Sequence, residues 1–375
     1  ESSMAAEGIP LESAKWNALS KENVSLLDEW NSGLIEKQLL SYMFRVNYDY
    51  NNKYLLTVSG RWDGASQLAE GNKWAFFPSA ALGWRLDQEE FLKDVTWLNQ
   101  LKFRLGVGVT GNSAIDPYQT KGAIVSLYYP FGSALAPGYA ASEPLIKDGA
   151  VAMANKNLSW EKTTQYNIGL DYSVLNGRIS GVLDFYTSRT TDLLMAMTIP
   201  SLNGYTNTYA NVGKTSNIGV DITLNTVNVK TRDFEWSTSI NAAWQKDKID
   251  ELANGKEDDI NNNWFIGQAL GVIYGYECGG LWKEEDAAEM AKFNAKGHSF
   301  QAGMVRPIDQ NGDYKIDPND DRVIIGHTRP RWTFGMTNTF TYKNFDLSVM
   351  MYGRFDYMVD TGGEWQGGRY MQRKI

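Results

Sequence analysis

Residues 41–63 read SYMFRVNYDYNNKYLLTVSGRWD. Along the first ten, Tyr42, Phe44, Val46, Tyr48 and Tyr50 alternate with Ser41, Met43, Arg45, Asn47 and Asp49. Along 53–63, Tyr54, Leu56, Val58, Gly60 and Trp62 alternate with Lys53, Leu55, Thr57, Ser59, Arg61 and Asp63. Successive side chains of a strand point to opposite faces, so a period of two sustained for ten residues is a strand with one apolar and one polar face. Asn51-Asn52 between the runs predicts a two-residue hairpin turn.

The pattern recurs. Leu101, Phe103, Leu105, Val107 and Val109 alternate with Lys102, Arg104, Gly106, Gly108 and Thr110. Tyr166, Ile168, Leu170 and Tyr172 alternate with Gln165, Asn167, Gly169 and Asp171. Further runs lie at 217–225 and 234–245, with weaker ones at 78–86, 178–189, 332–342 and 345–354. The count is ten strands in an all-β chain.

Alternation is shared with soluble sandwiches. Three features separate the two. These strands exceed the usual length of about five to six residues and match the roughly 9–11 needed to cross a bilayer at a tilt. Aromatics stand at both ends of the apolar faces: Tyr54 and Trp62, Trp236 and Trp244, Trp332 and Tyr342. At about 3.3 Å per residue and a 45° tilt, each pair is separated by roughly 19–23 Å, close to the apolar band between aromatic girdles. Short connections (51–52, 176–177, 228–233, 343–344 and an intermediate 87–100) also alternate with long ones (64–77, 111–163, 190–216, 247–331). That parity describes a transmembrane antiparallel β-barrel with short periplasmic turns and long extracellular loops. The expected partition puts Tyr42, Phe44, Val46, Leu56, Val58, Ile168, Leu170, Val220, Ile222 and Ile240 toward lipid. Arg45, Asn47, Thr57, Arg61, Asn167, Asp171, Asp221 and Asn241 fall on the lumen side.

Composition removes other classes. Across 375 residues there is no apolar run of about 18, so a polytopic helical membrane protein is excluded. A net charge of −8 argues against nucleic acid as a partner. Cys278 is the single cysteine, so no intrachain disulfide or cysteine metal cluster forms. His298 and His327 are the only histidines. No basic-then-apolar leader pattern opens the chain.

Several stretches resemble the SusC/RagA family of TonB-dependent outer-membrane transporters of Bacteroidetes: RVNYDYNNKYLLTVSGRWDGAS at 45–66, KWAFFPSAALGWRLDQEEFLKD at 73–94, LKFRLGVGVTGNSAIDPY at 101–118, LSWEKTTQYNIGLDYSVLNGRISGVLDFYTSRTTDLL at 158–194, NVGKTSNIGVDI at 211–222 and DQNGDYKIDPNDDRVIIGHTRPRWTFGMTNTFTYKNFDLSV at 309–349. The resemblance implies that 1–375 is a partial barrel domain, about ten strands of a 22-strand type barrel. Residues 1–40 and 247–331 would be extracellular loops, and the plug and N-terminal domains would lie elsewhere. It implies import of oligosaccharides, or of peptides, beneath a SusD-like surface lipoprotein that acts as a lid, energised by TonB through the plug. The alternative of a different class is a non-transporting outer-membrane barrel that serves surface interaction or adhesion. With two open strand edges in lipid, the segment alone is not expected to insert as a stable barrel.

Motifs with chemistry are few. Gly106-Val-Gly108-Val-Thr-Gly111 matches a dinucleotide fingerprint, which needs a following helix; here it sits inside an alternating run. No G-x-S-x-G, H-E-x-x-H or Walker pattern occurs, and no catalytic role or required cofactor is expected. Arg45, Asp49, Arg61, Arg85, Lys102, Arg104, Asp171 and Asp221 are polar lumen positions open to substrate or plug. Tyr128, Tyr129, Phe131, Tyr139, Tyr205, Tyr209, Trp264 and Phe265 are loop aromatics suited to stacking on sugars. Glu284–Phe293 reads as a short helix with acidic residues in its first turn and Gly297 at its stop. Finally, Asp309, Asn311, Asp313, Lys315 (through its carbonyl), Asp317 and Asp320 fall at EF-hand-like positions for Ca²⁺. Tyr314 stands where a sharp turn wants glycine, and Asp320 is shorter than the usual glutamate. The alternative is a set of Asx turns without metal.

Overall fold

The computed structural model describes residues 36–121, 125–131, 134–140, 153–200, 202 and 207–359. In chain order, β1 (Leu39–Tyr50), β2 (Tyr54–Ala65), β3 (Trp74–Arg85) and β4 (Leu98–Asn112) are wall strands. A hairpin of β5 (Val125–Phe131) and β6 (Ala134–Ala140) intervenes before β7 (Glu161–Val174) and β8 (Ile179–Thr191). A second hairpin, β9 (Leu194–Thr198) and β10 (Asn207–Asn211), precedes the long strands β11 (Lys214–Lys230) and β12 (Phe234–Glu251). The last loop holds β13 (Val272–Tyr276), β14 (Cys278–Leu281), α1 (Ala287–Ala295), β15 (Val305–Pro307) and β16 (Arg322–His327), and the wall resumes with β17 (Trp332–Tyr342) and β18 (Phe345–Phe355).

Ten of these strands form one sheet in the order β1-β2-β3-β4-β7-β8-β11-β12-β17-β18, each neighbour antiparallel. No helix among the described residues is long and apolar enough to cross a membrane. The outer edges of β1 and β18 have no strand partner among the described residues.

Register turns each strand's alternation into a property of the whole wall. Val46 lies opposite Val58, Val58 opposite Ala80, Ala80 opposite Val107 and Val107 opposite Tyr166. Farther on, Ile168 lies opposite Phe185, then Val220, Trp244 and Trp332 in turn. On the other face the line runs Arg45, Ser59, Ser79, Gly108, Gln165, Ser188, Asn217, Asp247. All ten residues assigned to lipid share the first face, and all eight assigned to the lumen share the second.

The aromatic ends meet across strands. At the short-turn end Tyr54 stacks on Trp84 and Trp236 on Phe340, with centroids 6.5 and 5.6 Å apart. At the loop end Tyr42 stacks on Trp74 at 6.0 Å, Trp62 meets Trp74 edge-on, and Trp244 lies 6.3 Å from Trp332. These two belts bracket the apolar face as interfacial girdles do.

The turns differ from expectation in detail. Tyr50 pairs with Tyr54, so the first turn has three residues, 51–53; Asn51 and Asn52 both adopt φ of 54°, and Asp49 Oδ1 accepts the Asn52 N–H at 2.7 Å. Val174 pairs with Ile179, so Asn176-Gly177 lies within a four-residue turn, with Leu175 also at positive φ. Lys343-Asn344 is the two-residue turn expected. The strands outlast the alternation that marked them: β11 and β12 are 17 and 18 residues long, and with their longer neighbours they shorten the connections at the loop end, measured between wall strands, to 66–73, 113–160, 192–213 and 252–331. The last loop therefore starts at 252 rather than 247. Residues 1–35 of the expected first loop lie outside the described residues, while Leu39 and Leu40 belong to β1.

Two small cores lie at the loop end. Ala65, Leu68, Phe77, Ile115, Leu158 and Trp160 bury one another, tying the 66–73 and 113–160 connections to the tops of β2 and β3. Trp282, Met290 and Phe293 form the second, with Phe300, Tyr314 and Ile316 packed on it.

Candidate functional site

The polar face of the wall carries an ion cluster at β4, β7, β8 and β11. Arg104 Nη2 donates to Asp184 Oδ1 and Oδ2 at 3.0 and 3.1 Å, and Arg104 Nε donates to Asp171 Oδ1 at 2.9 Å. Lys102 sits opposite Asp171, and Asp221 opposite Asp184, in the sheet register. Arg61 pairs with Asp63 and Arg85 with Asp87. Arg45 and Asp49 line the same face of β1. Thr223 donates to Asn241, Thr57 to Asn47, and Ser59 bonds Ser79. Such a surface suits water and hydroxyl- or amide-bearing solutes, and it is the wrong side for lipid.

The glycine-rich Gly106–Gly111 lies wholly within β4, as the alternation required, and no helix follows it. Gly106 and Gly108 take positions on the polar face.

The 252–331 connection closes into a module. Thr328 N and Oγ1 both donate to the Gly271 carbonyl, and β13 pairs with β16 to join its ends. Its stem is clamped to the wall by Asp247, whose Oδ2 accepts from Leu270 N at 3.0 Å and from Arg329 Nη1 at 3.3 Å. The expected helix is present: a 3-10 turn, Glu284–Asp286, leads into α1, and Gly297 takes φ of 104° just beyond it. Met290 and Phe293 turn inward onto Trp282, and Arg306 lies over the Trp282 ring while its guanidinium grips both Glu289 oxygens.

The 309–321 loop packs on that helix through Tyr314 and Ile316. Its side chains are spent on its own backbone. Asp309 accepts from Gly312 N and Tyr314 N, both at 2.7 Å; Asn311 accepts from Asp313 N, and Asp313 from Lys315 N. Asp317 Oδ1 accepts from Asn319 N and Asp320 N, while the Lys315 ammonium reaches Asp317 Oδ2 at 2.8 Å. The Lys315 ammonium, aided by those two N–H groups, holds the Asp317 carboxyl below its ordinary pKa, and Asp317 in turn raises Lys315. Among the described residues no group of three or more His, Cys, Asp or Glu side chains is placed to hold a metal ion. The carboxylate and amide oxygens of Asp309, Asn311, Asp313 and Asp317 cap the loop's own N–H groups as Asx turns do.

Spacing missed the residue that closes the loop. Asp321, fully buried, accepts from Gln310 N at 2.9 Å and Asp317 N at 2.8 Å. Its neighbour Asp320 took the twelfth position by count. The signal available was only a second adjacent aspartate before a strand. Nor did spacing reveal that His298 Nε2 accepts the Ile316 N–H at 2.9 Å, tying the helix stop to the loop.

Of the loop aromatics, Phe265 is buried 4.8 Å from Tyr274, and Tyr209 packs on the first small core. Trp264 is half-buried in a turn closed by its own N–H and carbonyl with Asp259. Tyr205 lies outside the described residues, as do the side chains of Tyr128, Tyr129, Phe131 and Tyr139.

Residues 18–374 match the family model described as TonB dependent receptor-like, beta-barrel. The chain belongs to that family. The receptor barrel is 33% identical over 387 residues to the TonB-dependent receptor SusC of Bacteroides thetaiotaomicron, covering 95% of this chain and 36% of the relative. It is also 33% identical over 359 residues to the TonB-dependent receptor P26 of Formosa agariphila, covering 93% of this chain and 35% of the relative. Among solved structures, the RagAB peptide importer in its open-open state aligns with a TM-score of 0.73 at 24% identity, over 90% of this chain and 34% of that one. That last likeness supports the fold. The SusC/RagA resemblance and an outer-membrane location are thereby borne out, and the receptor barrel spans about a third of the length of these relatives.

Proposed function

We propose that this barrel segment is part of an outer-membrane active importer, taking up oligosaccharides, or peptides, too large for passive pores. The observation that carries the reading is the 33% identity to SusC extending over 95% of the chain, on a wall whose inner face is polar from β1 to β12. A transport wall has to present such a face to a hydrated solute. In this reading a SusD-like surface lipoprotein closes over the loop end, and TonB supplies energy through parts of the receptor outside this chain. The barrel would guide and hold solute, and no bond-making step is assigned to it.

The test is uptake by cells that carry the complete receptor. Fluorescent oligosaccharides and peptides should accumulate in the periplasm of the wild type. Accumulation should cease when either the receptor gene or TonB function is deleted. Accumulation that persists without TonB would point instead to a passive or adhesive surface barrel.

A further inference from the structure

The lipid-side face of the wall carries charge in one sector. Toward the loop end of β1–β4 that face finishes in Leu40, Gly64, Trp74 and Gly111, without charge. Across β7, β8, β11 and β12 it turns basic. Two residues beyond Trp244, Lys246 lies opposite Ile218, then Thr187 and Tyr166. Four residues beyond it, Lys248 lies opposite Ser216, then Arg189 and Thr164. In the next row Lys162 and Lys214 flank Thr191. Asp250 and Glu251 reach this sector, and each holds a lysine: Lys248 Nζ is 3.1 Å from Asp250, and Lys214 Nζ is 2.6 Å from Glu251. Lys162, Arg189 and Lys246 are exposed and pair with no acid among the described residues. In a chain of net charge −8, the sign is reversed here.

Height and face decide what this strip meets. A strand rises about 3.3 Å per residue, so at a tilt near 45° Lys246 and Lys248 stand about 5 and 9 Å beyond the Trp244 level. Head groups widen a hydrocarbon core of about 30 Å to about 40–45 Å, a layer of about 5–8 Å on each side. Side chains that point away from the lumen at this height stand among lipid head groups, with the wall between them and any solute in the lumen. A cavity of about 400 Å³ opens in the same sector, lined by Arg189, Ser216, Lys248 and Lys256 together with Asp250 and Glu251. Lys256, just after β12, brings another exposed ammonium without an acid partner among the described residues. On the membrane side of the cavity Tyr166 and Ile218, 57% and 46% exposed, continue the apolar band.

We infer that this sector binds the phosphate of an outer-leaflet lipid. The head group sits against Arg189, Lys246, Lys248 and Lys256, and the acyl chains run down over Ile218 and Tyr166. A guanidinium offers a phosphate two parallel N–H bonds, and the ammonium groups act on it as point charges. Basic clusters at head-group level attract anionic lipid in this way, and the attraction is screened by salt. Because the site lies outside the lumen, its loss would leave the import reading untouched.

The experiment uses the complete receptor, purified in neutral detergent and stripped of lipid. It is mixed with a diphosphorylated diglucosamine lipid or with the same lipid lacking its phosphates, and bound copies are counted by native mass spectrometry. The phosphorylated lipid should bind about tenfold more tightly than its counterpart, and high salt should erase the difference. Arg189→Gln, Lys246→Gln and Lys248→Gln together should weaken that binding about tenfold and leave the dephosphorylated lipid unaffected. Unchanged heat-modifiability shows that the triple variant still folds. Excess inorganic phosphate, which has no acyl chains, should not displace the lipid; displacement would overturn the lipid assignment. Equal binding of the two lipids to wild type overturns the inference without recourse to any variant, and so does undiminished binding by a folded triple variant.

Discussion

Arg104 on β4 reaches Asp184 on β8 across the intervening strand β7, and the residue it passes over is Gly169. Gly169 stands opposite Arg104 on one side and opposite Asp184 on the other. A Cβ at that position would come within 2.6 Å of Arg104 Nη2, so the ion pair keeps this geometry because the strand between its partners lacks a side chain there.

The first prediction concerns that strand. Gly169→Ala should push the guanidinium off Asp184 and destabilise the complete receptor by about 1 kcal/mol or less, since the crowded atoms are the ends of flexible, partly exposed side chains. Thermal melting in detergent, read as loss of heat-modifiability on a gel, measures it. A melting temperature equal to wild type would show that the pair yields without cost.

Ile240 tests the orientation of the wall. It lies four residues from both Trp236 and Trp244, midway between the two aromatic belts, and pairs with Leu224 and Met336 on the apolar face. Ile240→Arg should cost about 2–4 kcal/mol, the penalty of arginine at the bilayer midplane. Asn241→Arg, one residue along and facing the lumen, should cost far less. Equal losses in a folding titration into lipid vesicles would contradict the assigned faces.

Asp321 should matter more to the loop module than any of the six positions selected by spacing. Asp321→Ala strands the Gln310 and Asp317 N–H groups in a part-buried setting, a loss of about 1–3 kcal/mol. Fluorescence of the nearby buried core around Trp282 should report earlier melting of the module. In the same assay millimolar Ca²⁺ should leave wild-type melting unchanged. A Ca²⁺-dependent rise that Asp309→Ala plus Asp313→Ala abolishes would establish a cation site there after all.

Acid stability follows from two carboxylates outside the membrane-spanning segments. Glu89 accepts from the Trp84 indole at 3.0 Å and the Tyr54 hydroxyl at 2.8 Å, with the Lys53 ammonium at 3.3 Å; in that order of weight they lower its pKa. Asp317 is lowered chiefly by Lys315. A carboxyl depressed in the folded state contributes stability that is complete above its unfolded pKa, about 4, and is lost as pH falls through the folded value. Melting temperature should therefore hold from neutrality to about pH 5 and fall below about pH 4. Glu89→Gln should shrink that fall; an unchanged acid profile would remove Glu89 from the account.

The outer edges of β1 and β18, without a strand partner among the described residues, predict the behaviour of residues 1–375 expressed alone. Unpaired N–H and C=O groups in hydrocarbon are too costly to leave, so the segment should aggregate rather than insert. Outer-membrane fractionation decides the point. A compact, heat-modifiable monomer would mean that the ten strands close on themselves.

Much of the wall was legible in the residues one strand at a time. Side-chain direction in a strand depends only on parity, so Tyr42 through Tyr50 and Tyr54 through Trp62 declare their faces without knowledge of any neighbour. The short-and-long order of connections is likewise written along the chain. What lies two strands away is not. Arg104 meets Asp184 through the registers of β4 with β7 and of β7 with β8, and no spacing of 80 residues announces it. The 309–321 loop shows the same limit from another side. Its aspartates fit a cation template by count, yet the backbone bends so that their oxygens cap the loop's own N–H groups, and the closing bond falls to Asp321 instead of Asp320. A loop has no period to constrain it, and the direction of each carboxylate is set by turns, by the packing of Tyr314 and Ile316 on α1, and by His298 at the helix stop. Parity, being local, could be read from sequence; contacts across strands and within loops became definite only when the chain had folded.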